Sequence, residues 1–297
     1  MVNQSSDRIV VGVDGSAASD AAVRWAAHEA ARRNVGLTLL HVVFPGLPVG
    51  LLAYSMAPSP QNYSRIQEEE GQRVLELALR VSESAIPAGA HVEIHSKAVF
   101  GNTVPTLIDV TKDVQMIVVG SRGLGAWRRG LFGSVSTALV HHAHCPVAII
   151  RDTADAQTHS HGPVVVGVDG SSTSELATAI AFEEASTRGV DLVAVHAWLD
   201  ADITGIPRSA WPDFQPEAQE TLAERLASWR DRYPDVVVQQ RVVFNQPARH
   251  LLEAAETAQL VVVGSHGRGG FAGMLLGSVS TTVVHHVHTP VIVARQS

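Results

Sequence analysis

The sequence predicts an α/β fold that is built twice, as two tandem domains that each contain a five-stranded parallel sheet with helices on both faces. Short runs of β-branched residues are separated by helical segments. Within these runs, polar residues do not alternate with apolar ones. Such runs are typical of parallel strands that are covered on both faces. The segment IVVGVDGS at 9–16 recurs as VVVGVDGS at 164–171. A repeat of this length indicates a duplicated domain rather than a solenoid unit.

The elements of the first repeat are predicted from its composition. The run Ile9–Val13 forms a strand, and Ser16 is a plausible N-cap for the alanine-rich helix Ala17–Arg33, which ends near Asn34. A second strand follows at Leu37–Phe44. The remaining elements are a proline-rich loop at 45–61, a helix at 62–85, a strand at 91–99, a helix at 103–112, a strand at 114–119, a helix at 134–144 and a strand at 146–151.

The predicted domains are residues 1–151 and 164–297, joined by a linker at 152–163 that is polar and lacks periodicity. The second copy is shorter, and the missing residues fall near the proline-rich loop 45–61. That loop contains four prolines and two glycines, so it is neither a helix nor a central strand. It is either a packed connection or a lid or partner surface.

The bulk composition excludes several classes of protein. The formal net charge of −7 gives no general attraction to nucleic acid or to an anionic membrane, so neither is an expected partner. The start of the sequence does not resemble a signal peptide, and no apolar run reaches the ~18 residues that a membrane span needs. The single cysteine, Cys145, allows no intrachain disulfide. We therefore expect a cytoplasmic protein without membrane insertion.

Two glycine-rich turns have the features of a phosphate-binding site. The segments Gly120–Ser136 and Gly264–Ser280 share the spacing G-x2-G-x9-G-S, and each follows an apolar strand. Glycine lets a ligand approach the backbone closely. A helix that starts at Ser134 or Ser278 presents unpaired N–H groups and the positive end of its dipole. These turns are therefore suited to anions.

An aspartate follows the first strand of each repeat and is predicted to face the same crevice as the glycine turn. If the first and fourth strands are neighbours, Asp14 and the glycine turn at Gly120 face one crevice, as do Asp169 and the turn at Gly264. The carboxylate could accept hydrogen bonds from a base or a sugar, or bind Mg²⁺. Neither turn contains the lysine of a P-loop, which usually stabilises γ-phosphoryl transfer.

The histidines are expected to have structural roles. His41 and His196 lie inside apolar strands, where hydrogen-bonded core or pocket-wall residues are expected rather than catalytic bases. The triplet at positions 141, 142 and 144 recurs at 285, 286 and 288. Its members do not share one helical face, so no metal site is predicted there. No catalytic residue is assigned.

The two VVGVDGS segments, the two G-x2-G-x9-G-S turns and a closing P-V-x-I strand at 146–149 together resemble the universal stress protein family in its two-domain form. The glycine pattern is similar to that of the ATP-binding branch. The resemblance implies a Rossmann-like sheet in each domain, dimer-like packing of the two halves and one ATP in each domain with Mg²⁺.

The resemblance also implies which residues contact the nucleotide. In the first domain these are Gly12, Asp14, Val42, Gly120, Gly123, Gly133, Ser134, Val135 and Ser136. In the second domain they are Gly167, Asp169, Ala197, Gly264, Gly267, Gly277, Ser278, Val279 and Ser280. Apart from the resemblance, Arg129 and Arg268 are nearby cations that could contact phosphate, and Asp200 could hold ribose hydroxyls as an acidic residue does in dinucleotide folds. Asp200 has Pro45 as its counterpart, so the two sites are expected to differ in affinity.

Three functions are compatible with these features. The first is an ATP-binding regulator of stress response or growth, with a protein partner that the sequence does not name. The second is a slow ATPase or phosphotransferase that uses Asp14 and Asp169 with magnesium. The third is a dimeric scaffold that does not depend on nucleotide. The absence of the P-loop lysine favours the first. The protein is expected to be a homodimer or a pseudo-dimeric monomer.

Overall fold

The computed structural model of the chain describes residues 7–44, 60–123, 132–152, 161–199, 209, 211–268 and 275–295. The chain forms two compact units, Met1–Leu139 and Val140–Ser297. Residues 45–59 of the proline-rich loop and residues 153–160 of the predicted linker lie outside the described residues.

The first unit contains a parallel sheet. Its elements are β1 (Arg8–Gly12), α1 (Ala17–Arg33), β2 (Gly36–Val43), α2 (Pro60–Ala85), β3 (Ile94–Phe100), α3 (Thr103–Val110), β4 (Met116–Gly120) and the first part of α4 (Ser134–His142). The strand order in this unit is β3-β2-β1-β4, and every neighbouring pair in it is parallel. The described elements follow the predicted order, with boundaries that shift by a few residues.

The second unit contains the end of α4 and a larger sheet. Its further elements are β5 (Val147–Ile150), β6 (Val164–Gly167), α5 (Ser172–Arg188), β7 (Leu192–Ala197), α6 (Trp211–Arg232), β8 (Val238–Val243), α7 (Pro247–Ala255), β9 (Leu260–Gly264), α8 (Ser278–His286) and β10 (Val291–Ala294). The strand order is β5-β10-β9-β6-β7-β8. From β10 to β8 the sheet is five-stranded and parallel.

The burial of the strands confirms the predicted α/β fold class. All five residues of β9 are buried, and so are the first four residues of β4. Because successive side chains point to opposite faces of a sheet, such strands must be covered on both faces. In the described part of the chain, no helix is both long enough and apolar enough to cross a membrane.

Local signals determine where the first helix of each repeat begins and ends. The Ser16 hydroxyl accepts a hydrogen bond from the Ser19 backbone N–H at 3.2 Å, which caps α1. Ser171 caps α5 in the same way. Both helices end at a residue in the left-handed region, Asn34 in α1 and Gly189 in α5. The repeat is therefore preserved in local geometry as well as in sequence.

Strand β5, which the sequence predicts to close the first domain, falls within the residues of the second compact unit. It pairs there with β10 in antiparallel orientation, with Val147 opposite Val293 and Ile149 opposite Val291. The two strands occupy corresponding places in the two repeats, so the pairing is close to symmetric. Strand composition predicts a buried strand but does not specify its partner.

Candidate functional site

The two turns that the sequence predicts to share a crevice follow neighbouring strands in each unit. Strand β1 pairs in parallel with β4, and β6 pairs in parallel with β9. Their carboxyl ends therefore meet at one edge of the sheet. In each sheet the strand order also reverses between these two strands. Open α/β sheets bind ligands at such a reversal.

Asp14 is held by the start of α1. Its Oδ1 accepts a hydrogen bond from the Ser16 backbone N–H at 3.0 Å, and its own backbone N–H donates to the Ser19 hydroxyl at 3.2 Å. This arrangement is an Asx turn, which fixes the carboxylate at the end of the strand. Asp169 has the same contacts with Ser171 and Ser174.

In the second unit, Asp169 also joins the glycine turn. Its Oδ2 accepts a hydrogen bond from the backbone N–H of Arg268 at 3.2 Å. The Arg268 guanidinium in turn donates from Nη2 to the carbonyl oxygen of Ala197 at 3.4 Å. Arg268 therefore contacts two other residues that the sequence assigns to the same site.

The second glycine of each turn lies directly against the aspartate. A Cβ on Gly123 would overlap Oδ2 of Asp14, and a Cβ on Gly267 would lie 2.6 Å from Oδ2 of Asp169. Any side chain at these positions would displace the carboxylate. Glycine at these positions therefore leaves the space that the carboxylate occupies.

The third glycine of each turn places the N-terminus of a helix at the crevice. The backbone N–H of Gly133 donates to the Ser121 carbonyl at 2.9 Å, and that of Gly277 donates to the Ser265 carbonyl at 2.8 Å. Helices α4 and α8 then begin at Ser134 and Ser278, as predicted. The N–H groups of a first helical turn have no intrahelical acceptor, so they are available to an anion.

The serines of these helices differ in exposure. Ser134 and Ser278 are exposed, whereas Ser136 and Ser280 are buried. The Ser136 hydroxyl donates to the Ser121 carbonyl at 3.2 Å, and the Ser280 hydroxyl donates to the Gly264 carbonyl at 2.5 Å. These two hydroxyls hold the turn, so a contact from either residue to phosphate would come from the backbone N–H.

The glycines that end β1 and β6 lie against apolar side chains, of strand β4 and helix α7 respectively. A Cβ on Gly12 would lie 3.2 Å from Val119, and a Cβ on Gly167 would lie 3.2 Å from Leu251 of α7. At both positions the absence of a side chain permits close packing within the unit. Contact between these two glycines and a ligand stays a prediction.

The strand that follows each first helix pairs with β1 or β6 on the side opposite the strand of the glycine turn. Val42 is the last residue but one of β2, and Ala197 ends β7. The preceding histidines have the predicted hydrogen bonds: Nδ1 of His41 lies 2.7 Å from the Val13 carbonyl oxygen, and Nδ1 of His196 lies 2.7 Å from that of Val168. These contacts hold the aspartate turn against the neighbouring strand.

The second site has contacts that sequence reasoning missed. The Thr173 hydroxyl donates to the His266 carbonyl at 2.5 Å and accepts from the His266 backbone N–H at 3.3 Å. The corresponding residue in the first repeat is Ala18, which has no hydroxyl. The offset between the repeats was the signal that could have shown this difference.

Two predicted site residues cannot be placed. Arg129 and Asp200 lie outside the described residues, as do the middle parts of both glycine turns, 124–131 and 269–274. The predicted difference between the two sites at Asp200 therefore stays a prediction.

Comparisons with known proteins agree with this architecture. The model of the universal stress protein family matches residues 5–151 and 161–295. A universal stress protein of Mycobacterium tuberculosis is 51% identical over 294 residues, which cover 99% of this chain and 98% of that protein. The crystal structure of a universal stress protein from Archaeoglobus fulgidus covers 99% of this chain and 98% of its own, with a TM-score of 0.70 and 21% identity. A universal stress protein solved in complex with cAMP matches 50% of this chain and 98% of its own at 26% identity, with a TM-score of 0.35.

Proposed function

Because the chain belongs to the universal stress protein family, we propose that it binds one ATP in each repeat and acts as a nucleotide-dependent regulator of stress response or growth. The observation that supports this most is the assembly of an aspartate turn, a glycine turn and a helix N-terminus, which occurs once in each unit. We place its action in the cytoplasm, together with a protein partner.

The phosphate groups would bind at the helix N-termini. In the second unit, Gly277 is the N-cap of α8 and offers no side-chain hydrogen bond to the first turn. The N–H groups of Ser278, Val279 and Ser280 therefore depend on another acceptor. Phosphate oxygens supply such acceptors and also interact favourably with the helix dipole. Ser134, Val135 and Ser136 would act in the same way in the first unit.

The adenosine end would lie between the aspartate and the neighbouring strand. Asp14 and Asp169 offer carboxylate oxygens to the ribose or the base, and the backbone near Val42 and Ala197 lies on the other side. Arg268 already spans Asp169 and Ala197 in the second unit. Its side chain is exposed, so it could turn towards the phosphates when a nucleotide displaces it.

The contacts favour retention of ATP over its hydrolysis. The glycine turns contain no lysine. Each aspartate uses Oδ1 to hold its own turn, and Asp169 uses Oδ2 to hold the glycine turn. Mg²⁺ would accompany the bound phosphates and neutralise part of their charge. We therefore assign the aspartates to binding and positioning.

A thermal unfolding experiment tests the binding. ATP at ~100 times its dissociation constant, with Mg²⁺, should stabilise the protein by ~2.7 kcal/mol. No shift at millimolar ATP would favour the nucleotide-independent scaffold instead.

Single-turnover assays would separate the regulator from the slow ATPase: bound ATP should stay intact for hours, and release of phosphate within minutes would favour the enzyme.

A further inference from the structure

Helix α6 brings an arginine to the aspartate turn of the second site. The guanidinium of Arg225 occupies the space that a Cβ on Gly170 would take. Gly170 follows Asp169 directly and has a φ of +81°, a conformation that favours glycine. The guanidinium is therefore packed against the turn that holds the Asp169 carboxylate.

The first site has a different residue at this place. Gly15 has the same φ of +81°, and a Cβ on it would lie 3.4 Å from a methyl carbon of Val74 on α2. The two turns therefore share their backbone geometry but face different side chains. An apolar branched residue faces the first turn, and a cation faces the second.

One donor atom of Arg225, Nη1, is buried and has no hydrogen-bond partner. Three buried side-chain polar atoms lack a partner among the described residues, namely Oε1 of Gln115, Oγ of Ser121 and Nη1 of Arg225. Two of the three adjoin the candidate sites, because Ser121 follows Gly120 in the first glycine turn. A buried donor without an acceptor is unfavourable, and more so when the group is charged. Such a group calls for an acceptor that a ligand can bring.

On the basis of the proposed function, we propose that Arg225 contacts the nucleotide in the second site and that its Nη1 donates a hydrogen bond to an acceptor atom of the nucleoside. The guanidinium lies at the turn of Asp169, which is the adenosine end of the site, whereas the phosphate end is at Ser278. Purine nitrogens and ribose oxygens are suitable acceptors for a guanidinium N–H. This contact makes the second site bind adenine nucleosides more tightly than the first site does.

The test measures one site at a time. Gly123→Leu displaces Asp14 and leaves only the second site, and Gly267→Leu displaces Asp169 and leaves only the first. We expect Arg225→Met to weaken both ATP and adenosine at the second site by roughly tenfold or more, measured by calorimetry, because a hydrogen bond from a charged donor is lost. The same substitution should leave the first site unchanged.

Arg230→Met is the matched control, because Arg230 is exposed on the same helix. Arg225→Lys keeps the charge but loses the planar fork, and it should give an intermediate loss; it replaces Arg225→Met if that variant does not fold. Equal affinity in the Arg225 variants and their parent, or a loss for ATP without a loss for adenosine, would overturn the inference. Absence of nucleotide binding in the unsubstituted protein would overturn the proposed function instead, so the two failures are distinguishable.

Discussion

Asp169 and Arg268 connect the two turns of the second site through a hydrogen bond of 3.2 Å between Oδ2 and the backbone N–H. The same carboxylate accepts from the Ser171 backbone N–H at 2.8 Å through Oδ1. One side chain thus joins the start of α5 to the glycine turn after β9. Hydrogen bonds within the chain therefore hold these two turns together.

Asp169→Ala should weaken nucleotide binding at the second site by roughly tenfold to a hundredfold, because it removes the acceptor that holds both turns as well as a contact to the ligand. Asp169→Asn keeps one side-chain oxygen and should lose less. Calorimetry in the Gly123→Leu background measures the effect. Asp231→Ala, at an exposed position of α6, serves as the control. Unchanged affinity in Asp169→Ala would exclude the carboxylate from the site.

Thr173→Ala should destabilise the protein by about 1–2 kcal/mol, because two hydrogen bonds to the His266 backbone are lost. It should also weaken nucleotide binding at the second site, since the glycine turn loses its attachment to α5. Thr173→Ser retains the hydroxyl and should behave like the unsubstituted protein. Urea denaturation and calorimetry check the two effects, and equal results for the alanine and serine variants would refute the role of this hydroxyl.

Arg295→Met should destabilise the second unit by about 2–3 kcal/mol. The guanidinium donates to the carbonyl oxygens of Val140 at 2.5 Å, Ala143 at 3.0 Å and Leu275 at 2.9 Å. Its removal leaves these acceptors without that donor. Arg151 makes the corresponding contacts with Val284 and His285, at 2.9 and 2.8 Å. Arg151→Met should likewise destabilise the protein, and unchanged stability of both variants in chemical denaturation would exclude these hydrogen bonds as a source of stability.

The free energy of unfolding should fall at acidic pH because of two histidines near these arginines. They are His141, which is half-buried, and His285, which is exposed. Desolvation lowers the pKa of His141, and the charges of His142, Arg295 and His285 lower it further. Desolvation, His286 and Arg151 lower the pKa of His285. The unfolded chain therefore binds protons first as the pH falls below the ordinary value of 6.5.

Above pH 6.5 these two histidines should not change the free energy of unfolding. As the pH falls from 6.5 through the lower pKa values of the folded protein, the free energy of unfolding should decline. Below the folded pKa values it should level off. Urea denaturation between pH 7.5 and 5 measures the decline. Replacement of both histidines by glutamine should reduce its slope. An identical slope in the double variant would show that other groups are responsible.

Much of the fold could be predicted because its signals are local. The strand β9 is apolar throughout, Ser16 and Ser171 are recognisable caps, and the repeat itself shows where each element recurs. The proximity of Asp14 to Gly123 followed from one assumption, that strands β1 and β4 are neighbours, and the pairing confirms it. The Gly-Ser pair that ends each glycine turn predicts the starts of α4 and α8, at Ser134 and Ser278.

The rest depends on contacts between distant segments. Strand β5 pairs with β10, and nothing in the composition of either strand specifies that partner. Arg225 is far from Gly170 in sequence, and an arginine on a helix normally indicates an exposed position. The bond from Thr173 to His266 likewise spans 93 residues. Sequence periodicity carries no information about such pairs.

The number of ATP molecules bound per chain is the most direct test of the proposal that each repeat binds one ATP. Native mass spectrometry of the purified protein with ATP and Mg²⁺ should show two nucleotides on the unsubstituted chain, one on Gly123→Leu, one on Gly267→Leu and none on the double variant, with circular dichroism showing that all four are folded. The account would be contradicted if the unsubstituted chain bound none, or if the double variant still bound two.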